Sequence, residues 1–171
     1  ADRYEKVSIR ESGITDAGKP LHEVIIDGKG QSDPILINLR SNHNVLMINN
    51  GIHPGEPCGI DASMMLARDL VTKHSDLLEK VTVIIIPVYN IGGALNRGSY
   101  SRANQNGPQT YGFRGNRKNL DLNRDFIKCD SRNAQAFTKI YQRWLPQVFI
   151  DNHTSNGADY QYVMTMIASQ P

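Results

Sequence analysis

The chain has 171 residues, 39% of them hydrophobic, and a formal net charge of +2. That length suits one domain with a buried core, and so small a charge gives no argument for nucleic acid or a membrane surface as a partner. No run approaches the ~18 apolar residues of a membrane span, and the first residues lack a signal-peptide pattern.

A single α/β domain over residues 1–171 is expected. The opening Ala1-Asp2-Arg3, without Met, is compatible with processing for an extracellular or periplasmic setting or with a cut from a longer chain. Cys58 and Cys129 allow at most one disulfide and are read as free thiols, with Cys58 packed in the first turn of a helix.

From Tyr4 to Arg40 the pattern is that of antiparallel edge strands: Val7-Ser8-Ile9, Leu21 to Ile26, and Ile35 to Leu39, separated by turn clusters such as Asp27-Gly28-Lys29-Gly30. His22 falls on a strand face, and His43 and His74 in polar connections. None has a carboxylate or second His at ligand spacing.

Val45 to Ile48 is a short apolar run that reads as a buried strand, and Pro57 to Val71 follows as an amphipathic helix whose Ile60, Met64, Ala67, Leu70 and Val71 form a core stripe. Between them lies Gly51-Ile52-His53-Pro54-Gly55-Glu56. A His and a Glu three residues apart, at the carboxyl end of a strand, occupy the usual ligand position of an α/β sheet. Imidazole and carboxylate are two-thirds of a catalytic zinc site, which takes three protein ligands and keeps one position open. The third candidate is His153, which follows the apolar run Val148-Phe149-Ile150 in the same way. If those two strands are parallel neighbours, His53, Glu56 and His153 converge on one Zn2+.

Val81 to Val88 lacks alternation and reads as a central strand buried on both faces, which with the helix before it calls for a right-handed parallel crossover. Tyr89 to Asp130 has no helical period and carries Arg97, Arg102, Arg114, Arg117, Lys118, Arg124 and Lys128, a basic wall suited to an anionic substrate. A loop this long in a compact domain is expected to be functional. Ser131 caps a helix with Ala134, Phe137, Ile140, Tyr141, Trp144 and Leu145 on one face, stopped by Pro146. Tyr160 to Ile167 reads as a last strand. The glycosylation sequon Asn152-His153-Thr154 is read as accidental, because a glycan there would collide with the metal.

These segments resemble the zinc metallocarboxypeptidases of the carboxypeptidase A type. The resemblance rests on His53-Pro54-Gly55-Glu56 after a strand, Pro87-Val88-Tyr89-Asn90 closing the central strand, Asp121-Leu122-Asn123-Arg124-Asp125-Phe126 in the loop, and Asp151-Asn152-His153 at the later strand end. It implies a mixed, largely parallel sheet with antiparallel amino-terminal strands and flanking helices. It also implies that His53, Glu56 and His153 hold one zinc, and that Asn123 and Arg124 hold the terminal carboxylate of a peptide. Asp121 orients His53, and an upstream arginine polarises the scissile carbonyl. Ser101-Arg102-Ala103-Asn104 favours Arg102 for that last role, with Arg114 the alternative. The chemistry agrees, since a guanidinium gives a carboxylate two parallel charge-assisted hydrogen bonds and an Asp on the outer N–H of a zinc His fixes its tautomer.

The family's general base is a glutamate well beyond the third zinc ligand, and the sequence has no glutamate after Glu79. The chain is therefore expected to be the amino-terminal part of such an enzyme, binding zinc and peptide carboxyl termini, hydrolysing poorly, and self-associating through uncovered sheet. Two rivals share the ligand pattern: a zinc-dependent N-acyl amino acid deacylase, and a non-catalytic domain that binds peptide carboxyl termini. Serine or cysteine hydrolysis is excluded by the lack of a Gly-x-Ser-x-Gly elbow and of a partner for either Cys.

Overall fold

The computed structural model describes residues 1, 3–103, 105–155 and 160–168. In chain order the elements are β1 (Val7–Ile14), β2 (Pro20–Ile26), α1 (Pro34–Asn38), β3 (Asn44–Asn49), α2 (Cys58–Thr72), β4 (Val81–Ile86), α3 (Ile91–Leu95), β5 (Arg97–Gly98), β6 (Tyr111–Gly112), α4 (Arg132–Trp144) and β7 (Val148–Asp151). Single 3₁₀ turns lie at Leu77–Glu79 and Leu122–Arg124.

Five strands form one mixed sheet in the order β1-β2-β4-β3-β7. The β1–β2 and β2–β4 pairings are antiparallel, and β3 runs parallel to both β4 and β7. The parallel half carries the functional residues, because β3 and β7 deliver their carboxyl ends to the same side. In register, Met47 faces Ile84 and Phe149, and Ile48 faces Ile85 and Ile150.

The unbroken apolar run of β4 is explained by cover on both faces. Ile84 and Ile86 pack with Ile25, Val45 and Met47 under Phe137, Ile140 and Trp144 of α4. Val83 and Ile85 pack with Ile26 and Ile48 under Leu70 of α2 and Leu78. Each fully buried side chain of this size stabilises the fold by about 1.5–3 kcal/mol. Helix α4 begins where Ser131 Oγ accepts from Ala134 N and ends in a left-handed Leu145. It is tied to the antiparallel edge by Glu23, fully buried, which accepts from Ser12 Oγ, Arg143 and Trp144 Nε1.

Four expectations change. Ile35 to Leu39 is not a strand: Pro34 opens α1 and Asp33 caps it by accepting from Ile35 N, so a short apolar run becomes one helical turn with Ile37 alone buried. Tyr160 to Ile167 is irregular and exposed, for no neighbouring strand offers it a ladder among the described residues. Met64 is 63% exposed, lying on the flank of α2 while Ser63 and Leu70 face inward. Cys58 is exposed rather than packed, and both cysteines are free thiols.

The long segment after β4 is built rather than loose. Asn90 caps α3 by accepting from Gly93 N at 2.8 Å, and its amide donates to Arg114 O at 2.9 Å. A side chain at Gly93 would bring Cβ to 2.3 Å from Phe113 O, so this approach requires glycine. Asp125 accepts from the backbone N–H groups of Asp130 and Ser131, closing the segment onto the start of α4.

Candidate metal centre

Two strand ends and one turn assemble the site. Beyond β3, Gly51 adopts φ +64°, and Glu56 N donates to His53 O at 2.9 Å, folding His53 and Glu56 back on each other. At Gly55 a Cβ would meet Arg102 Cδ and Gly112 O, both at 2.8 Å, so the bare backbone lets Arg102 approach. At Gly59 a Cβ would stand 2.4 Å from Asn152 Cβ, and its absence lets the first turn of α2 touch the loop that leaves β7. That loop carries His153 and is pinned by Asn152 N donating to Asn49 O at 3.0 Å.

His53, Glu56 and His153 offer ligand atoms that all lie within 4.8 Å of one another. His53 Nδ1 is 3.1 Å from Glu56 Oε1, and His153 Nδ1 is 3.1 Å from Glu56 Oε2. On the outer side, His53 Nε2 meets Asp121 Oδ1 at 3.1 Å and His153 Nε2 meets Asp151 Oδ2 at 3.1 Å. Each outer nitrogen is engaged by a carboxylate, which leaves Nδ1 of each ring for a metal, and two imidazoles with one carboxylate are a zinc donor set.

The electrostatics follow from this crowding. Burial acts to raise the Glu56 pKa, but hydrogen bonds from His153, His53 and Thr154 N–H overcome it and hold the carboxyl far below its usual range. The Asp151 carboxylate, then Glu56, push His153 up to about 9. Burial acts against the charged form of Asp121 as well, and His53, the Asn123 N–H and Arg114 more than offset it.

Two arginines flank the cluster. Arg102 Nη1 donates to Glu56 Oε1 at 2.9 Å and its Nε to Gln105 Oε1 at 2.7 Å, while Tyr111 Oη accepts from Arg102 N at 3.0 Å. Arg114 Nε donates to Asp121 Oδ2 at 3.0 Å, and its Nη1 lies 3.5 Å from His53 Nδ1. Asn123 and Arg124 sit on the 3₁₀ turn capped by Asp121, with Arg124 exposed. Three more members of the basic wall are employed elsewhere: Lys118 pairs with Asp16, Lys128 with Asp130, and Arg97 donates to Thr110 O. Asn104, at the end of the segment used to favour Arg102, lies outside the described residues. A cavity of about 380 Å³ opens between Arg102 and Thr154, lined also by Pro57, Cys58, Asp61 and Gln105. The sequence motifs indicated a carboxylate partner for His53 alone. Asp151 was visible only as the residue two before His153.

A His/Glu/His cluster at the carboxyl ends of parallel strands, with arginines beside it, has the donor set that a catalytic zinc site uses. The zinc carboxypeptidase family model matches residues 1–160, and the chain belongs to that family. It is 26% identical over 117 residues to Carboxypeptidase 2 of Trichophyton tonsurans, an alignment covering 66% of this chain and 19% of that protein. Among solved structures it is similar to a metallo-carboxypeptidase from Burkholderia cenocepacia (TM-score 0.70, 19% identity, 91% of this chain and 38% of that one). It is also similar to a metallo-carboxypeptidase from Pseudomonas aeruginosa in complex with (2-guanidinoethylmercapto)succinic acid (TM-score 0.68, 20% identity, 91% and 37%). The chain thus spans about a fifth of the curated relative's length and under two-fifths of either solved one.

Proposed function

We propose that this chain supplies the zinc-binding and carboxylate-anchoring part of a metallocarboxypeptidase that hydrolyses carboxyl-terminal peptide bonds. The observation that carries the reading is the convergence of His53, Glu56 and His153, separated by about a hundred residues of chain, to within 4.8 Å. Zinc bound there would polarise the scissile carbonyl and lower the pKa of a bound water to near 7.

The chain's own residues bind and orient. Asn123 and Arg124 take the terminal carboxylate, where a guanidinium fork matches both oxygens. For the arginine facing the developing oxyanion, Arg102 remains the first candidate and Arg114 the alternative: both border the cluster, Arg102 Nη1 2.9 Å from Glu56 Oε1 and Arg114 Nη1 3.5 Å from His53 Nδ1, and both are also held by a carboxylate, Glu56 and Asp121. Such a donor contributes about 3 kcal/mol to the transition state. Arg102 also holds Glu56 in place. Of the chain's four other glutamates, Glu23 is buried under α4, Glu11 lies on β1 beside His22, Glu5 precedes β1 and Glu79 closes the 3₁₀ turn before β4, so none is offered as a base at the site, and weak hydrolysis by the 171-residue chain alone is expected. Exposed Val148 and Ile150 on β7, at the edge of the sheet, support self-association as a further property.

The test is zinc binding by chelator competition. One zinc per chain is expected, lost in His53→Ala, Glu56→Ala and His153→Ala separately. Failure of the unaltered chain to bind zinc would refute the proposal.

A further inference from the structure

The two imidazoles are held in different ways. His53 is in a buried turn with its side chain 2% exposed, so packing limits its rotamers. The His153 side chain is 31% exposed and leaves the end of an edge strand, so packing does little to orient it. Its ring is fixed instead by two carboxylates, Glu56 on the metal side and Asp151 on the outer side. Asp151 in turn is fixed from the core. It is the register partner of Asn49 across the parallel β3–β7 ladder, and Asn49 Nδ2 donates to Asp151 Oδ1 at 2.9 Å.

Asn49 is an unusual choice for that place. It is fully buried, and among the described residues its Oδ1 has no hydrogen-bond partner. A buried amide with an orphan oxygen weakens a fold, and an apolar residue of similar shape would pack there without that cost. Its side-chain amide is given to Asp151.

We infer that Asn49 and Asp151 are positioning residues for His153, with Asn49 aiming the Asp151 carboxylate and Asp151 setting the ring so that Nδ1 faces the metal. This rests on the zinc reading of His53, Glu56 and His153. Removing such an outer partner costs about 10–100-fold in metal affinity.

The experiment compares Asn49→Leu, Asp151→Asn and the double variant in the full chain, by zinc competition, by thermal melting without metal, and by long-range ¹H–¹⁵N spectra of the zinc-loaded imidazoles. Asn49→Leu is expected to melt at or above the wild-type temperature while binding zinc about 10-fold more weakly. Asp151→Asn should weaken binding by about 10–100-fold and shift the His153 ring resonances while leaving those of His53. The double variant should lose no more than Asp151→Asn alone, since Asn49 acts through Asp151. Zinc affinity unchanged in both single variants, or losses that add in the double, overturn the inference alone. Should Asn49→Leu fail to fold, Asp151→Asn still decides: unshifted His153 resonances overturn it. No zinc binding by the wild-type chain overturns the zinc reading and this inference with it.

Discussion

Gly59→Ala should destabilise the protein, against the ordinary rule for helices. Replacing glycine by alanine inside a helix gains up to about 1 kcal/mol, and less in the first turn. Gly59 is the second residue of α2, and the added methyl would sit 2.4 Å from Asn152 Cβ, 2.9 Å from Asn50 Oδ1 and 3.0 Å from Asn152 Cγ. Asn152 Cβ cannot rotate away, because the backbone beside it is pinned by Asn152 N to Asn49 O, and Asn50 Oδ1 accepts from Asn152 Nδ2 at 2.8 Å. The loop or the helix must therefore move, and overpacking of this kind costs about 1–3 kcal/mol. A net loss of about 1–2 kcal/mol follows, or about 2–8 °C in Tm for a chain of this size. Thermal melting by circular dichroism in excess chelator reads it directly. Because Asn152 precedes His153, zinc affinity should fall in the same variant. An unchanged or raised Tm would show that α2 and the His153 loop are not in the close contact on which the site depends.

Other predictions test separate parts of the molecule. Zinc-loaded chain should bind a peptide with a free carboxyl terminus more tightly than its amide, and Arg124→Ala should remove about 10-fold of that preference, the worth of one hydrogen bond to a charged group; equal binding of acid and amide by titration would sink the carboxylate clamp. Asp27 is fully buried, and although burial acts to raise its pKa, hydrogen bonds from Arg40, Thr82 and the backbone N–H groups of Gln31 and Lys29 hold it below the ordinary value. Its stabilisation is therefore complete above pH ~4 and is lost as pH falls through the lower folded value. Asp27→Asn should cost about 3 kcal/mol at pH 7 by urea unfolding, with the gap closing in acid, and a constant gap would contradict the ion pair. Light scattering should report species larger than a monomer at tens of micromolar, shifting towards monomer when Val148 and Ile150 are replaced by Lys.

Much of the fold was legible because the apolar runs are short and bounded by turn residues. Val45 to Ile48 and Val81 to Val88 read as buried strands and Val148 to Ile150 as a strand, and Ser131 with Pro146 bracketed α4; the central strand ends at Ile86, and Val148 and Ile150 are exposed at the sheet edge. The segment at Ile35 failed for a stated reason: five residues are too few for a period to tell helix from strand, and the deciding signal was the Asp33-Pro34 pair before it. Tyr160 to Ile167 failed because a strand is not a local property. Its residues have the right types, but a ladder needs a neighbour, and the described residues offer none. Met64 was misplaced because an apolar residue at helical spacing need not face the sheet.

The site divides along the same line. His53, Glu56 and Asp121 lie in motifs whose residues are close in sequence or whose order was diagnostic, so the turn and its oriented imidazole could be named in advance. Asp151 and Asn49 could not, since their pairing spans 102 positions and exists only because β7 docks beside β3 with Asn49 opposite Asp151. Shifting that register by one residue would aim the Asp151 side chain at the other face of the sheet and leave His153 with Glu56 alone. The metal position is thus specified by strand register as much as by ligand identity. Register in turn depends on the ladder behind it, where fully buried Met47 faces half-buried Phe149, so substitutions in that pair should weaken zinc binding without touching a ligand.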